Sequence, residues 1–180
     1  MESTTPSSVA IKWTLIGFIT SVVLTFVYQF AKIDVNSPVK YINYVFFIAF
    51  LILSQKEYRE KLGGFVTFGQ AFVEGLLFSV FYGILIAIFT YIYFTILSPA
   101  VWEQAMNASQ QKLEAAGTMS SDQIESTMNI TRKYGVIIAV VGIIIGTPIM
   151  GAVVSLIGAA IFKKERSPFD VQDNTIDPVS

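Results

Sequence analysis

Cysteine and histidine are both absent from the 180 residues of this sequence. The missing cysteine excludes disulfides and thiol nucleophiles, and the missing histidine removes the commonest general base of enzymes. Zinc sites built from cysteine and histidine, and haem held by an axial histidine, are excluded for the same reason. We therefore predict that the protein holds no metal ion and no cofactor.

Charged residues are scarce as well. They make up 14% of the chain, against about 25% in an ordinary soluble domain, and 53% of the residues are hydrophobic. The formal net charge of -1 gives no basis for binding nucleic acid. Because the few charges cluster between long apolar runs, the pattern is typical of a polytopic membrane protein, with the lipid bilayer as its main partner.

Four apolar runs predict four membrane spans, at about 11–31, 39–54, 68–97 and 135–162. A helix needs roughly 20 residues to cross a hydrocarbon layer of about 30 Å. The second run is short, and the charged stretch "SQKEYREKLGG" prolongs its helix into water until two glycines end it. The predicted fold class is all-α, a single four-helix membrane domain covering residues 1–180.

The polar segment 98–134 separates the third and fourth runs. Ser98-Pro99 is a helix start, Gly117 a helix end, and Ser120 or Ser121 a second start. This pattern predicts a helical hairpin outside the cytoplasm, or two helices that extend the flanking spans. Residues 163–180 form the predicted cytoplasmic tail.

The distribution of lysine and arginine predicts that both termini are cytoplasmic. In that orientation seven of the 12 basic residues lie inside and five outside, and the inner ones closely flank the spans. The inner residues are Lys12, Lys56, Arg59, Lys61, Lys163, Lys164 and Arg166, and the outer ones are Lys32, Lys40, Lys112, Arg132 and Lys133.

Small residues at a spacing of four mark three of the spans. Helices in lipid associate where small side chains let their backbones approach closely, so these positions predict the packing faces of the bundle. The fourth span has two such faces, which makes it the candidate for a shared interface, and Pro148 is expected to kink it. The packing positions are Gly17, Ser21, Gly75, Ser79, Gly83, Gly142, Gly146, Gly151 and Ser155.

One carboxylate, Glu74, lies inside the third apolar run. Thirty residues give this helix a length of about 45 Å, so Glu74 lies either near the headgroups or inside the bilayer, depending on tilt. Near the headgroups it would pair with a cytoplasmic lysine, namely Lys12, Lys163 or Lys164. Inside the bilayer it would be a proton or cation site, because buried charges in membranes are functional candidates. Gln70, one turn earlier, would join it in a small polar patch.

No other feature of the sequence indicates chemistry. There is no second carboxylate in the spans for acid–base work, no phosphate-binding loop, and no nucleophile beside a base. We therefore predict that the protein is not an enzyme. The leading hypothesis is a scaffold or accessory subunit that acts through helix–helix contacts with a second copy or another membrane protein. The alternative is a small-solute or proton-coupled transporter that uses Glu74.

Two stretches resemble a known family of membrane proteins. "GGFVTFGQAFVEGLLFSVFYGILIAIFTYIYFTILSP" and "GTPIMGAVVSLIGAAIFKKERSPF" are similar to the pattern of domain-of-unknown-function family 4199, and the similarity covers about residues 8–169. The resemblance implies four spans and a location in the bacterial inner membrane. The family has no assigned activity, so the resemblance assigns no role to Glu74 or to any other residue.

Overall fold

A computed structural model describes residues 5–33 and 37–165 of the chain. The first helix, α1, runs from Pro6 to Phe30. Thr5 is its N-cap, because its side chain accepts a hydrogen bond from the Ser8 amide, and Pro6 occupies the first helical position, where the missing donor has no cost.

The second helix, α2, spans Ile42–Lys61 and follows a short 3₁₀ turn at Pro38–Tyr41. Gly63 and Gly64 end it with φ angles of +77° and +86°, a backbone conformation that other residues adopt only with strain. The charged residues in its last two turns form the expected i,i+4 pairs, with Lys56 bound to Glu60 and Lys61 to Glu57. The helix therefore joins an apolar start to a charged end.

The third helix, α3, spans Phe68–Ile92 and continues as a π-helix over Tyr93–Leu97. Its start is a capping box, which the pattern Thr67-x-x-Gln70 favours. The Thr67 hydroxyl accepts a hydrogen bond from the backbone N–H of Gln70, and the Gln70 side-chain oxygen accepts one from the backbone N–H of Thr67.

The polar segment folds into the helix α4, Pro99–Ala116, and the first turns of α5, Ser121–Phe162. The 42 residues of α5 correspond to about 63 Å, twice the thickness of a bilayer core. The second arm of the predicted hairpin is thus an extension of the last span. Met106, Ile124 and Met128 form a small core between the two arms, and Arg132 bonds to Asn107 at 2.7 Å.

Three helical segments of the described chain are long and apolar enough to cross a membrane: Pro6–Phe30, Phe68–Leu97 and Ser121–Phe162. The chain is therefore an all-helical protein of membrane type. The fourth predicted span, 39–54, corresponds to the apolar part of α2, which carries too many charges overall to meet the same criterion, and it stays a prediction. The predicted cytoplasmic tail lies outside the described residues from position 166 onward, Arg166 included.

The helix α3 occupies the centre of the bundle and packs against α1, α2 and α5. At one end of the bundle, the loop before α3 pairs with the end of α5 through two backbone hydrogen bonds between Val66 and Lys164, of 3.0 and 2.9 Å. At the other end, Gln29 of α1 donates to Ser98 at 2.9 Å and accepts from Tyr93 at 3.3 Å. These ties fix which helix ends lie together.

Candidate functional site in the helix bundle

Glu74 is completely buried in the bundle, with 0% of its surface exposed. The Ser54 hydroxyl of α2 donates a hydrogen bond to its Oε1 atom. Its Oε2 atom is buried and has no partner, and no described side chain forms an ion pair with it. The carboxyl group therefore faces the other helices, neither lipid nor the headgroup region.

Two clusters of buried apolar side chains lie on either side of Glu74 along the bundle axis. Ala71 lies one turn before Glu74 on α3, and Phe78 lies one turn after it, each in a different cluster. These clusters separate the carboxyl group from water at both ends of the bundle. The cluster on the side of the loop before α3 contains Val9, Tyr58, Val66, Ala71 and Ala159, and the other contains Ala10, Phe47, Leu51, Phe78 and Tyr82.

A second polar group, Gln55, lies beside Ser54 and joins three helices. Its Nε2 atom donates to the backbone oxygen of Ala71 at 2.9 Å and to that of Ser155 at 3.1 Å. Its Oε1 atom and the Ser155 hydroxyl are buried without partners. Buried polar atoms usually have partners, so these orphan atoms mark the region around Glu74 as unusual.

Ser54 and Gln55 are the site residues that the sequence analysis missed. It placed them at the point where α2 leaves the membrane, because a charged stretch follows at once. The available signal was their position directly after an apolar run, within reach of a buried acid. Helical spacing on α2 alone cannot show that α3 and α5 cover these two positions.

Gln70 does not belong to the site, contrary to the predicted polar patch. The Gln70 side chain is exposed and turns back to Thr67, accepting from its amide at 3.0 Å and from its hydroxyl at 3.1 Å. The capping box holds the side-chain amide of Gln70 at the start of α3. The side chains of Gln70 and Glu74 are therefore not brought together.

Lys12 does not pair with Glu74, so that expectation is wrong. Its Nζ atom lies 2.7 Å from an oxygen of Glu57 on α2, and the Trp13 indole donates to the same carboxylate, also at 2.7 Å. Lys61 completes the group at 3.1 Å. Lys12 thus pairs with Glu57 near the end of the bundle, where both charged groups remain in contact with water.

The other two predicted partners of Glu74 lie elsewhere. Lys164 places its Nζ atom 5.3 Å from the ring centroid of Phe65, and both Lys163 and Lys164 are exposed. Neither forms an ion pair with Glu74 among the described residues. The end of α5 is held by its backbone pairing with Val66, which keeps these side chains outside the core.

Mainly because Lys12 donates to its carboxylate, the pKa of Glu57 falls from its ordinary value of 4.5 to about 2. A carboxyl group whose pKa is lowered in the folded state stabilises that state at every pH above its ordinary pKa of 4.5. This stabilisation is lost as the pH falls from 4.5 to about 2. We expect acid to release Trp13 in this window, seen as a change of its fluorescence in a Trp102→Phe background. The Glu57→Gln protein should show no such transition, and a transition centred near 4.5 would contradict the assignment.

The small residues fall into two groups in the structure. Gly75, Ser79 and Gly83 of α3 face α5, where their neighbours are Ser155, Gly151 and Thr147. Gly17 of α1 lies against Phe50 and Tyr82, and the Ser21 hydroxyl bonds to the Tyr82 hydroxyl at 2.7 Å.

The two remaining predicted packing positions, Gly142 and Gly146, are not covered. A Cβ atom added at either glycine would meet no described atom within 4 Å. Pro148 lies inside α5, which continues through it, and the kink stays a prediction.

The chemistry available at this site is the binding of a proton or a small cation. Transferring a charged carboxylate into an apolar core is costly unless the charge is paired, so a proton or cation has to balance it. No group of three or more acidic, histidine or cysteine side chains that could hold a metal ion occurs in the described ranges.

In a comparison with known families, residues 12–164 match the family described as "protein of unknown function (DUF4199)". The match covers most of the chain. The chain belongs to this family. No curated protein and no solved structure matches it. Membership of DUF4199 confirms the resemblance carried by the stretches around Glu74 and Gly151, and it leaves the activity of the chain to be argued from the site.

Proposed function

We propose that this DUF4199 protein is a membrane transporter that couples the movement of a small solute to the binding and release of a proton at Glu74. The observation that carries the proposal is the complete burial of Glu74, which among the described residues has Ser54 as its one hydrogen-bond partner and no ion-pair partner. Burying an acid costs stability whatever its role, and such residues in membranes mark ion or substrate pathways and proton relays.

The position of Glu74 fits an occluded state of such a transporter. Apolar clusters close both ends of its surroundings, and a carrier needs a state in which the bound proton is shielded from both solutions. Alternating access would then open one cluster at a time. The proposal assigns no catalytic reaction to the protein.

The proposed topology has four spans, with both termini in the cytoplasm of a bacterium and the protein in its inner membrane. Lys12 of α1, Glu57 of α2 and Lys164, which follows α5, lie at one end of the bundle, which supports this topology. Basic residues collect at this end, as expected for the cytoplasmic side.

Reconstitution tests the proposed function. Purified protein is placed in vesicles that contain a pH-sensitive dye, a pH gradient is imposed, and uptake is measured for a panel of uncharged and zwitterionic solutes. For at least one solute we expect uptake that depends on the gradient and is accompanied by proton movement. Gradient-independent leakage equal to that of empty vesicles, for every solute, would contradict the proposal.

A second candidate function is that of a scaffold or accessory subunit. Gly142 and Gly146 favour it, because they form a bare small-residue face on the membrane part of α5 that nothing in the described chain covers. The occupant of this face would be the α5 helix of a second copy.

The chain has no cysteine, so cross-linking tests this second candidate cleanly. We expect oxidation of a Gly146→Cys protein in native membranes to give a disulfide-linked dimer. The matched control is Ile144→Cys, two residues earlier on α5, which is 45% exposed, lies roughly 160° around the helix from Gly146 and should give none. Equal cross-linking of both variants, or of neither, would remove the dimer through α5.

A further inference from the structure

A cleft of about 760 Å³ lies at the end of the bundle opposite to Lys12 and Glu57, between α1, the π-helix and α4. This volume lies within the roughly 300–1,000 Å³ range of small-molecule sites. The cleft reaches from Thr25, inside the apolar run of α1, to Gln104, in the polar helix α4. Its lining therefore extends from the apolar part of the bundle into the polar segment.

The inner wall of the cleft is aromatic. Tyr93 and Phe94 of the π-helix line it, with their ring centroids 5.3 Å apart, and Tyr28 of α1 lines it as well. Tyr93 is buried, whereas Tyr28 and Phe94 are half-buried and keep part of their surface accessible. Aromatic rings of this kind contribute large apolar contact areas, so the inner wall suits the apolar body of a ligand.

The outer rim of the cleft holds one positive charge and two amides. Lys32, Gln29 and Gln104 line the cleft, and all three are exposed to solvent. Lys32 forms no ion pair with any described residue, and no acidic side chain of the described ranges lines the cleft. The Gln29 amide accepts from Tyr93 and gives one N–H to Ser98, which leaves its second N–H to donate. A cation beside N–H donors favours an anionic group.

Two helix ends border the cleft, and their dipoles have opposite signs. The helix α1 ends beside it at Phe30, and α4 begins beside it at Pro99. The end of a helix carries partial negative charge and the start of a helix carries partial positive charge. Because these two contributions oppose each other, the charge of Lys32 decides which sign of ligand the cleft attracts.

Two unusual backbone conformations lie in opposite walls of the cleft. Lys32 has a φ angle of +52°, the left-handed conformation that glycine usually adopts after a helix. Its N–H donates to the Gln29 oxygen at 3.2 Å, and the Ile33 N–H donates to the Tyr28 oxygen at 3.0 Å, which is the Schellman pattern. The facing wall is a π-helix, a rare form that occurs frequently at functional sites. Costly conformations of this kind cluster at ligand sites, and here both border one cleft.

We propose that this cleft binds an anionic amphiphile, with its carboxylate or phosphate at Lys32 and its apolar body against Tyr28 and Phe94. A chain that points toward Thr25 continues into the apolar part of the bundle, so a molecule dissolved in the bilayer can enter the cleft from the side. The proposal does not rest on the transporter. Tyr93 lies nineteen residues from Glu74 along the helix, or about 28 Å, so the two sites are separate.

Trp102 provides a reporter beside the cleft. Its ring centroid lies 5.5 Å from that of Phe94, and the preceding residue, Val101, lines the cleft. The chain has two tryptophans, so Trp102 is the only one in a Trp13→Phe background. Bromine quenches indole fluorescence at close range, and a brominated ligand in the cleft should therefore lower the Trp102 signal.

Quenching by two matched probes tests the charge of the ligand. The probe ω-bromododecanoate has an anionic head, and ω-bromododecanol has the same chain without the charge. Both are added to phosphatidylcholine nanodiscs at a pH where the carboxylate is ionised, and their amounts are compared as mole fractions in the bilayer. We expect the acid to reach half-maximal quenching at a mole fraction about threefold to tenfold lower than the alcohol, the effect of one partly exposed charge-assisted hydrogen bond.

Three variants decide whether Lys32 forms the site. Lys32→Gln should raise the midpoint for the acid to that of the alcohol. Lys32→Gly should do the same, and because glycine suits the φ angle of +52°, the loss cannot come from misfolding. The matched control is Lys133→Gln, which removes a lysine that lies over Tyr134 and does not line the cleft, and the midpoint should stay the same. Equal midpoints for the two probes, an unchanged midpoint in either Lys32 variant, or the same shift in Lys133→Gln would each overturn the proposal.

Phosphatidylglycerol distinguishes a lipid headgroup from a free amphiphile as the source of the anion. This lipid replaces part of the phosphatidylcholine in the nanodiscs, and the midpoint for ω-bromododecanoate is measured again. A midpoint that rises more in the original protein than in Lys32→Gln assigns the cleft to an anionic lipid that competes with the probe. An equal rise in both proteins reflects repulsion by the bilayer surface alone, and it assigns the cleft to a single-chain amphiphile.

Discussion

The Glu74→Gln substitution is expected to abolish gradient-driven solute uptake in vesicles while the helix bundle stays folded. Glutamine has nearly the same shape as glutamate, and its amide oxygen can accept the Ser54 hydrogen bond as the carboxyl oxygen does. It cannot bind and release a proton, so uptake and proton movement should both fall to the level of empty vesicles. Dye fluorescence and solute uptake are measured together, and circular dichroism checks the fold.

Two further variants decide whether the loss comes from proton chemistry. Glu57→Gln removes another carboxylate from the bundle, one that binds Lys12 at its end, and uptake should persist. Glu74→Asp keeps a titratable group on a shorter side chain, and we expect partial uptake. Full uptake in Glu74→Gln, or its loss in Glu57→Gln as well, would contradict a specific role for Glu74.

The Gly151→Ala substitution, which adds one methyl group to α5, is expected to cause a large loss of stability. A Cβ atom at this position would overlap the Cβ and Oγ atoms of Ser79, which is fully buried on α3. The overlap includes the first side-chain atom of Ser79, which cannot rotate away, so the two helices have to separate. Overpacking of this kind costs about 1–3 kcal/mol, measured as a lower midpoint of thermal unfolding in detergent micelles.

Gly142→Ala is the matched control on the same helix. A Cβ atom there meets no described atom within 4 Å, so the change should leave the free energy of unfolding within about 1 kcal/mol of the original protein. A loss of stability as large as that of Gly151→Ala would mean that Gly142 is covered, for example by a second copy. No loss in either variant would contradict the close packing of α3 and α5.

Local sequence signals were sufficient to predict most helix boundaries. The capping box at Thr67, the two glycines after α2 and the start of α4 at Pro99 all appear where their short-range chemistry places them. Such signals work because caps and turns depend on residues within four positions of each other. The sequence does not predict the continuous course of α5 from Ser121 to Phe162, since it allows either a separate hairpin or an extension of the span.

The candidate site was predicted only in part. Glu74 stood out because a lone acid in an apolar run is rare, but its depth depended on the tilt and neighbours of α3. Lys12 is one of the three lysines predicted as possible partners of Glu74, and it binds Glu57 instead, because the distance between them is set by how α1 and α2 cross. Gln70 was assigned to the site from helical spacing, although the capping box directs its side chain away.

Consecutive residues are sufficient to identify a helical membrane protein of the DUF4199 family with one acid in an apolar run. Hydrophobicity and short-range capping are encoded in consecutive residues, so they need no tertiary information. The contact of Ser54 with Glu74 and the bridge that Gln55 makes between three helices follow from the packed bundle alone. These facts depend on which helix faces meet, and the meeting of faces distant in sequence is set by the packing of the whole bundle.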